Sequence, residues 1–506
     1  MIKIVLDNVN CKISGDIDTA ILKKMDSEMS YEHPGYRFMS GSRGGYNLSG
    51  KYGGWDGRVR LLSKSMKFPI GLLSLAREIL DENNIEYGIV DARPSIKYGS
   101  PIEIDESVFK IRGYQKDAAK CAKKNGSGII RMATGGGKTL VISSIVAEYN
   151  IPTIIYVIGV ELLYQMKKTM EDAYGVECGI VGGGECDASK QITIMTVWSA
   201  AAAFNKKAKV IENDATGETS KQTKNIDKAL VRKKVEEARL IIVDECQYAA
   251  SETIQFLHRV STRARHRFLL SGTPWRDTGD DILIEAVAGR KIYDLNATKL
   301  IKLKNLVPPD IHFLNVPVVR KPGNNYHEVY TNYIVENEDR NGLIIKAAKK
   351  LVAAGKKVLI LVVRVQHGKL LMGKLEDEFS VKYLDGTKSA KKRMQAIQDM
   401  RDGNVDILIA SKIFDQGIDI PELDALILAG SGKSSGRALQ RIGRVIRTAP
   451  GKERAIVVDF FDNCKYLRNH SEARINVYNS EPGFNIKVPK NKEIYKYPKR
   501  EPVKWT

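Results

Sequence analysis

Short apolar runs recur along the chain, spaced so that a helix fits between each run and the next. From Ile111 to about Gly289 they are Ile129-Ile130, Thr153 to Val157, Ile192 to Met195, Leu240 to Val243 and Phe268 to Leu270. A second series, from about Asn341 to Phe460, contains Val358 to Val363, Val381 to Leu384, Ile407 to Ala410, Ala425 to Leu428 and Ile456 to Val458. Strand-sized apolar runs alternating with helix-like stretches predict parallel sheets covered by helices. Two such series predict two α/β domains. Between them lies Leu306-Val307-Pro308-Pro309, whose adjacent prolines cannot continue a helix and mark the linker region. The predicted organisation is a small α+β accessory domain over residues 1–97, a first α/β domain over 98–300, a linker and second α/β domain over 301–480, and a basic C-terminal tail over 481–506.

Length and composition agree with that division. At about 100–200 residues per domain, 506 residues suggest roughly three domains. With 43% hydrophobic and 28% charged residues there is enough apolar surface for packed cores, so disorder and fibrous classes are excluded. The longest apolar runs are strand-sized, so no membrane contact is expected. Met1 to Asp7 turns polar within a few residues, without the apolar stretch of a secretory signal, and a cytoplasmic location is the expectation, in the host cell if the chain is phage-encoded. Six scattered cysteines with no CxxC pair predict free thiols. Asn205 to Lys228 is polar and without apolar periodicity, and reads as an exposed insertion in the first α/β domain. The tail is rich in Lys and Arg with Tyr495, Tyr497 and Trp505 among them; a flexible tail and an arm laid on a partner both fit. A net charge of +20 points to a polyanion, with nucleic acid the obvious one, although charge alone does not choose between DNA and RNA.

Chemistry concentrates at three places. Met132-Ala133-Thr134-Gly135-Gly136-Gly137-Lys138-Thr139 follows an apolar run and precedes the helix-like Val141 to Tyr149, the context of a phosphate-binding loop. Glycines let backbone N–H groups face phosphate, Lys138 pairs with the β/γ oxygens and Thr139 can ligate Mg²⁺. Met132 stands where the strict pattern has its first glycine. Asp244-Glu245-Cys246-Gln247 follows the apolar run Leu240 to Val243, so both carboxylates fall at the carboxyl end of a strand, where α/β sheets bind ligands. Asp244 is the expected Mg²⁺ ligand and Glu245 the general base. Third comes Gln440-Arg441-Ile442-Gly443-Arg444-Val445-Ile446-Arg447 in the second α/β domain. Arg444 and Arg447 lie three apart, one helical turn, so both could project toward one triphosphate as arginine fingers; a basic face for a phosphate backbone is the alternative.

Taken in this order these segments resemble helicase superfamily 2, over about residues 111–460. The resemblance implies two RecA-like motor domains, ATP with Mg²⁺, and nucleic acid as partner. Arg112-Gly113-Tyr114-Gln115 resembles the motif whose Gln reads the adenine edge. Ala133 to Thr139, Asp244 to Gln247 and Ser271-Gly272-Thr273-Pro274-Trp275-Arg276 resemble motifs I, II and III. Phe414-Asp415-Gln416-Gly417-Ile418-Asp419, with Gly417 and Asp419 implied near the nucleotide, resembles motif V, and Gln440 to Arg447 motif VI. Weaker matches put Thr196, Trp198, Arg364 and His367 on the nucleic-acid path; for Trp198 and His367 ordinary packing competes with a direct contact. Within the superfamily the chain is similar to phage UvsW-type branched-DNA helicases and, more distantly, to the XPB group. Tyr36-Arg37-Phe38 and Gly54-Trp55-Asp56-Gly57-Arg58-Val59-Arg60 resemble the UvsW-type N-terminal domain, implicated in gripping duplex DNA, which makes Arg37, Trp55, Arg58 and Arg60 candidate contacts; Trp55 as core is the alternative. Gln247 departs from the usual His, and an amide cannot titrate.

The resemblance implies strand separation or branch migration on forks and four-way junctions, with tracking along a single strand, in replication and recombination repair, by a chain for which a monomer is favoured. An RNA helicase, the translocating subunit of a restriction-type complex, and an ATP-switched DNA-binding protein that separates no strands are the alternatives.

Overall fold

The computed structural model describes residues 2–34, 36, 56–105, 107–206, 226–276, 279–317, 325–388, 390–411, 420–430, 432, 434–464 and 466–489. Arg37, Trp55, Gly417 and Asp419, most of the Asn205 to Lys228 insertion, and the tail beyond residue 489 lie outside them. The chain divides into two units, Met1–Met132 with Gly137–Asp294, and Ala133–Gly136 with Leu295–Thr506.

The first unit begins with β1 (Ile2–Leu6), β2 (Asn10–Ser14), β3 (Ser30–Glu32), β4 (Arg58–Arg60), β5 (Lys67–Pro69) and β6 (Tyr87–Asp91). Four of these form a sheet in the order β5-β2-β1-β6, and β3 pairs with β4. Alternation in β1 buries Ile2, Ile4 and Leu6, and the helices Thr19–Glu28 and Leu73–Glu82 cover that face with Met25, Ala76, Ile79 and Leu80. This core also takes in Ala286, which belongs to the α/β part of the same unit.

That part contributes β7 (Gly128–Met132), β8 (Thr153–Val157), β9 (Cys178–Gly182), β10 (Glu185–Cys186), β11 (Ile192–Thr196), β12 (Leu240–Asp244), β13 (His266–Ser271) and β14 (Lys291–Leu295). The order is β10-β9-β11-β8-β12-β13-β7-β14. The pairings β9·β11, β11·β8, β8·β12, β12·β13 and β13·β7 are parallel, and β10 returns antiparallel on β9. Strands β8, β9, β11, β12 and β13 are buried along their whole length, as a sheet with helices on both faces requires. All five apolar runs of the first series are strands here; β9, β10 and β14 are additions to that reading.

The second unit holds β15 (Pro309–Val316), β16 (Val358–Leu361), β17 (Val381–Leu384), β18 (Ile407–Ala410), β19 (Ala425–Ile427), β20 (Ala455–Asp462) and β21 (Asn485–Lys487), in the order β17-β18-β16-β19-β20-β15-β21. Its strands pair in parallel throughout the described sheet. The proline pair read as linker stands at the start of β15: Pro309 is its first residue, a position where a missing N–H is tolerated. These are the two parallel-sheet α/β domains and the small N-terminal α+β domain expected from the sequence. No helix among the described residues is long and apolar enough to cross a membrane. None of the six cysteines forms a disulfide.

Candidate functional site

Three adjacent strands, β12, β13 and β7, place the chemistry of the first unit. Asp244 pairs in register with Leu270, and Ser271 with Arg131, so the acidic segment, Ser271 and the approach to the glycine loop leave the sheet side by side at its carboxyl edge. Gly135 and Gly137 have φ of 86° and 80°. At Gly137, which caps the helix Lys138–Tyr149, a Cβ would stand 2.3 Å from Gln115 Nε2, so the position admits no side chain. The amide oxygen of Gln115 accepts from Arg112 N at 2.9 Å, which closes the N-terminus of the helix Gly113–Asn125. Arg112 Nη1 in turn donates to Tyr114 Oη at 2.8 Å.

Lys138 opens its helix and donates to Glu245 Oε1 at 2.9 Å, with side chains 15% and 23% exposed. Glu245 itself adopts φ 58°, ψ 63°. A non-glycine residue in the left-handed region costs about 1 kcal/mol or more. That cost turns the chain sharply at the end of β12 and brings the carboxylate back onto Lys138. Its other oxygen accepts from Gln247 Nε2 at 3.0 Å and from Ser271 Oγ at 3.3 Å. Ser271 Oγ lies 2.7 Å from Gln247 Oε1 and accepts from Thr273 N at 3.0 Å. Arg276 Nη1 donates to Gln247 O at 3.0 Å. Lys138, Glu245, Gln247 and Ser271 are therefore one network across three segments distant in sequence.

Burial works against the Lys138 charge, but Glu245 and Asp244 more than offset it and hold its pKa above the ordinary lysine value. For Asp244, burial and then the Glu245 charge push the carboxyl upward against the pull of Lys138. One ammonium against the buried Asp244 and the half-buried Glu245 carboxylates leaves the site short of positive charge. Oxygen donors with an excess of negative charge suit a hard divalent cation, and Thr139 with Asp244 fits Mg²⁺ on those grounds.

In the second unit Gln440 and Arg444 lie on the helix Ser435–Val445, which Ser434 caps through Arg437 N. That helix ends before Arg447, which sits in an isolated backbone pairing with Leu306. The argument from one helical turn does not hold for Arg447, because the helix stops two residues too early. Of the proposed nucleic-acid contacts, Thr196 is buried and spends its hydroxyl on Ser199, as the cap of the helix Val197–Ala203. His367 is fully buried, its Nε2 2.8 Å from Asn341 Oδ1, with burial pushing its pKa down to about 3. Both side chains are engaged inside their own units. Trp198 packs half-buried against the first core. Arg58 donates to Ser30 Oγ and Ser27 O, and Arg60 pairs with Asp26 and Asp56. Arg364 follows β16 and lies 5.0 Å over the Tyr330 ring.

The sequence reading named Ser271 and Trp275 as parts of a motif but assigned them no role. Trp275 lies under the Arg131 guanidinium at 4.6 Å, which joins the third motif to the strand ahead of the glycine loop. A basic residue just before the loop was the one available signal for that contact.

Three family models match successive parts of the chain: the N-terminal domain of DNA helicase UvsW over residues 3–90, the Type III restriction enzyme res subunit over 108–276, and the helicase conserved C-terminal domain over 343–449. Among curated relatives, the ATP-dependent DNA helicase uvsW of Enterobacteria phage T4 is 25% identical over 475 residues, covering 88% of each chain. The DNA 3'-5' translocase XPB2 of Sulfurisphaera tokodaii is 24% identical over 402 residues, 72% of this chain and 83% of its own. Among solved structures, the Type ISP restriction-modification enzyme LlaBIII bound to DNA superposes with a TM-score of 0.53 at 15% identity, over 81% of this chain and 34% of that one, a likeness of fold. Three successive domain matches in helicase order, on two parallel-sheet domains, establish that the chain is an ATP-dependent DNA helicase or translocase of superfamily 2, related to the UvsW and XPB types.

Proposed function

We propose that this helicase acts on branched DNA, forks and four-way junctions, separating or exchanging strands as it tracks along one of them. The network joining Lys138, Glu245, Gln247 and Ser271 carries the catalytic part of the reading. Lys138 is the group that takes the charge of the β/γ-phosphates, and Glu245, held by three partners, orients and deprotonates the attacking water. Gln247 and Ser271 are positioning residues that fix the Glu245 carboxylate. Thr139 and Asp244 would hold Mg²⁺, which when bound neutralises charge on the phosphate oxygens. Arg444 and Arg447 are proposed to stabilise the transferring phosphoryl group, a role worth roughly a thousandfold in comparable enzymes. Gln115, Gln440 and the loop from Thr134 to Gly137 would bind the rest of the nucleotide.

The branched substrate is supported by the accessory domain, whose residues match the UvsW N-terminal family, and by a relative of that type that aligns along nearly nine tenths of the chain. Substituting Lys138→Ala tests the motor. ATP turnover should vanish while DNA binding, carried by phosphate contacts elsewhere, persists. Normal turnover in that variant would remove the assignment.

A further inference from the structure

The carboxyl edge of the second sheet carries a group of aromatic residues to which the nucleotide chemistry gives no task. Tyr326 opens the helix Tyr326–Tyr330, Tyr466 stands four residues beyond β20, and Arg364 three beyond β16. The Tyr326 ring lies 6.2 Å from Tyr466, nearly perpendicular to it, 5.8 Å from His470 and 6.0 Å from Tyr330. Tyr330 and Tyr333 are buried, as aromatic residues that serve a core should be, whereas Tyr326 and Tyr466 remain 43% and 40% exposed.

The backbone around the cluster is unusual twice over. Tyr466 adopts φ 68°, ψ −44°, close to the rare and strained classic γ-turn, although the residue is not glycine. Thr331–Val335 is a π-helical turn, a form found mostly at functional sites. Strain that holds an aromatic ring out of a core is retained when the ring has work at the surface. Arg364 completes the group: its guanidinium lies over the Tyr330 ring and donates to Thr331 Oγ1, which fixes a positive charge beside the exposed rings.

We infer that Tyr326 and Tyr466 form a stacking platform for an unpaired base of the DNA strand, with Arg364 as the charge that holds the neighbouring backbone phosphate. This rests on the DNA-motor reading and adds to it a place where a base is gripped. A nucleobase suits the platform because every base offers a π-face, stacking needs no particular sequence, and a guanidinium beside the rings suits a phosphate-linked ligand.

The test uses the full chain, a fluorescent oligo-dT strand, and a second strand carrying 5-iodouridine for photo-cross-linking. Replacing Tyr326→Ala together with Tyr466→Ala should weaken binding of the oligo-dT by roughly tenfold or more, while the Tyr326→Phe, Tyr466→Phe pair keeps affinity within about twofold. ATP turnover without DNA should be unchanged in both. Cross-links in the unsubstituted chain should map to Tyr326 or Tyr466, and that arm decides the matter should the alanine variant fail to fold. Equal affinity of the alanine and phenylalanine variants, or cross-links that avoid both tyrosines, would overturn the platform alone. A native chain that binds no DNA and shows no stimulation of ATP turnover would overturn the motor reading and the platform with it.

Discussion

Gln247 shows what one side chain decides. Its amide donates to Glu245 and meets Ser271 on its other face, so it passes orientation from the third motif to the catalytic carboxylate without carrying a proton of its own. Substituting Gln247→His should introduce a titration. A histidine beside the Glu245 carboxylate would have its pKa raised above about 6.5, because the imidazolium gains a charged partner. The variant's DNA-stimulated ATP turnover should show an extra inflection between about pH 6 and 8 that the native chain lacks; superimposable profiles would remove the proposed coupling. The motif positions of Lys138, Asp244, Glu245 and Gln247 were legible in the sequence, because glycine spacing and an apolar strand ahead of the carboxylates have direct physical meaning. The left-handed backbone of Glu245 and the link through Ser271 were not. Both depend on strands separated by tens of residues lying next to one another. The burial of Thr196 and His367 was not legible for a related reason: a motif gives position along a strand, and burial depends on what packs above it.

At the scale of elements, β13 is fastened at its start as firmly as it is used at its end. His266 Nδ1 lies 2.7 Å from Gly126 O and Nε2 2.8 Å from Tyr98 Oη, with the Tyr149 ring 4.5 Å away. Burial pushes its pKa from the ordinary 6.5 down to about 4. Between these values the unfolded chain binds a proton that the folded chain does not, so stability rises with pH across the window and is lost as pH falls from about 6.5 through about 4. The full shift corresponds to about 3 kcal/mol. Urea unfolding at pH 7 and pH 5 should show the first unit losing stability at the lower pH, and the loss should shrink in a His266→Phe variant. An equal loss in both proteins would contradict this assignment. Most strands of both sheets were legible from apolar runs. The exceptions have two causes: β15 was concealed by the prolines at its start, and β9, β10, β14 and β21 lie toward sheet edges, where the run of apolar residues is short or interrupted.

On the scale of the molecule, the accessory domain is built into the first unit and is not a tethered module. The buried Arg267 donates to the carbonyls of Asn8, Ser261 and Ala264, and Arg290 pairs with Glu78. Gly71 lies so close that a Cβ there would stand 1.9 Å from the Glu285 carbonyl oxygen. The contacts to Asn8, Glu78 and Gly71 reach across more than two hundred residues, and no periodicity or composition announces them; the sequence suggested only a boundary after residue 97. A Gly71→Val substitution should wedge the accessory sheet from the helix Ile282–Ala288 at a cost of about 1–3 kcal/mol or more. It should speed proteolysis between Asp91 and Gly99, and an unchanged melting temperature with unchanged proteolysis would contradict the rigid attachment. Such attachment gives the proposed branched-DNA reading its physical sense, since a duplex gripped by the accessory domain would move with the α/β domain that carries Lys138. The most direct measurement is therefore strand displacement on blunt duplex, tailed duplex, fork and four-way junction, with DNA and RNA versions of the tailed strand, each with and without ATP. The account predicts ATP-dependent displacement that is fastest on the fork and four-way junction; ATP turnover with no strand released from any of them, or a preference for the RNA strand, would contradict it.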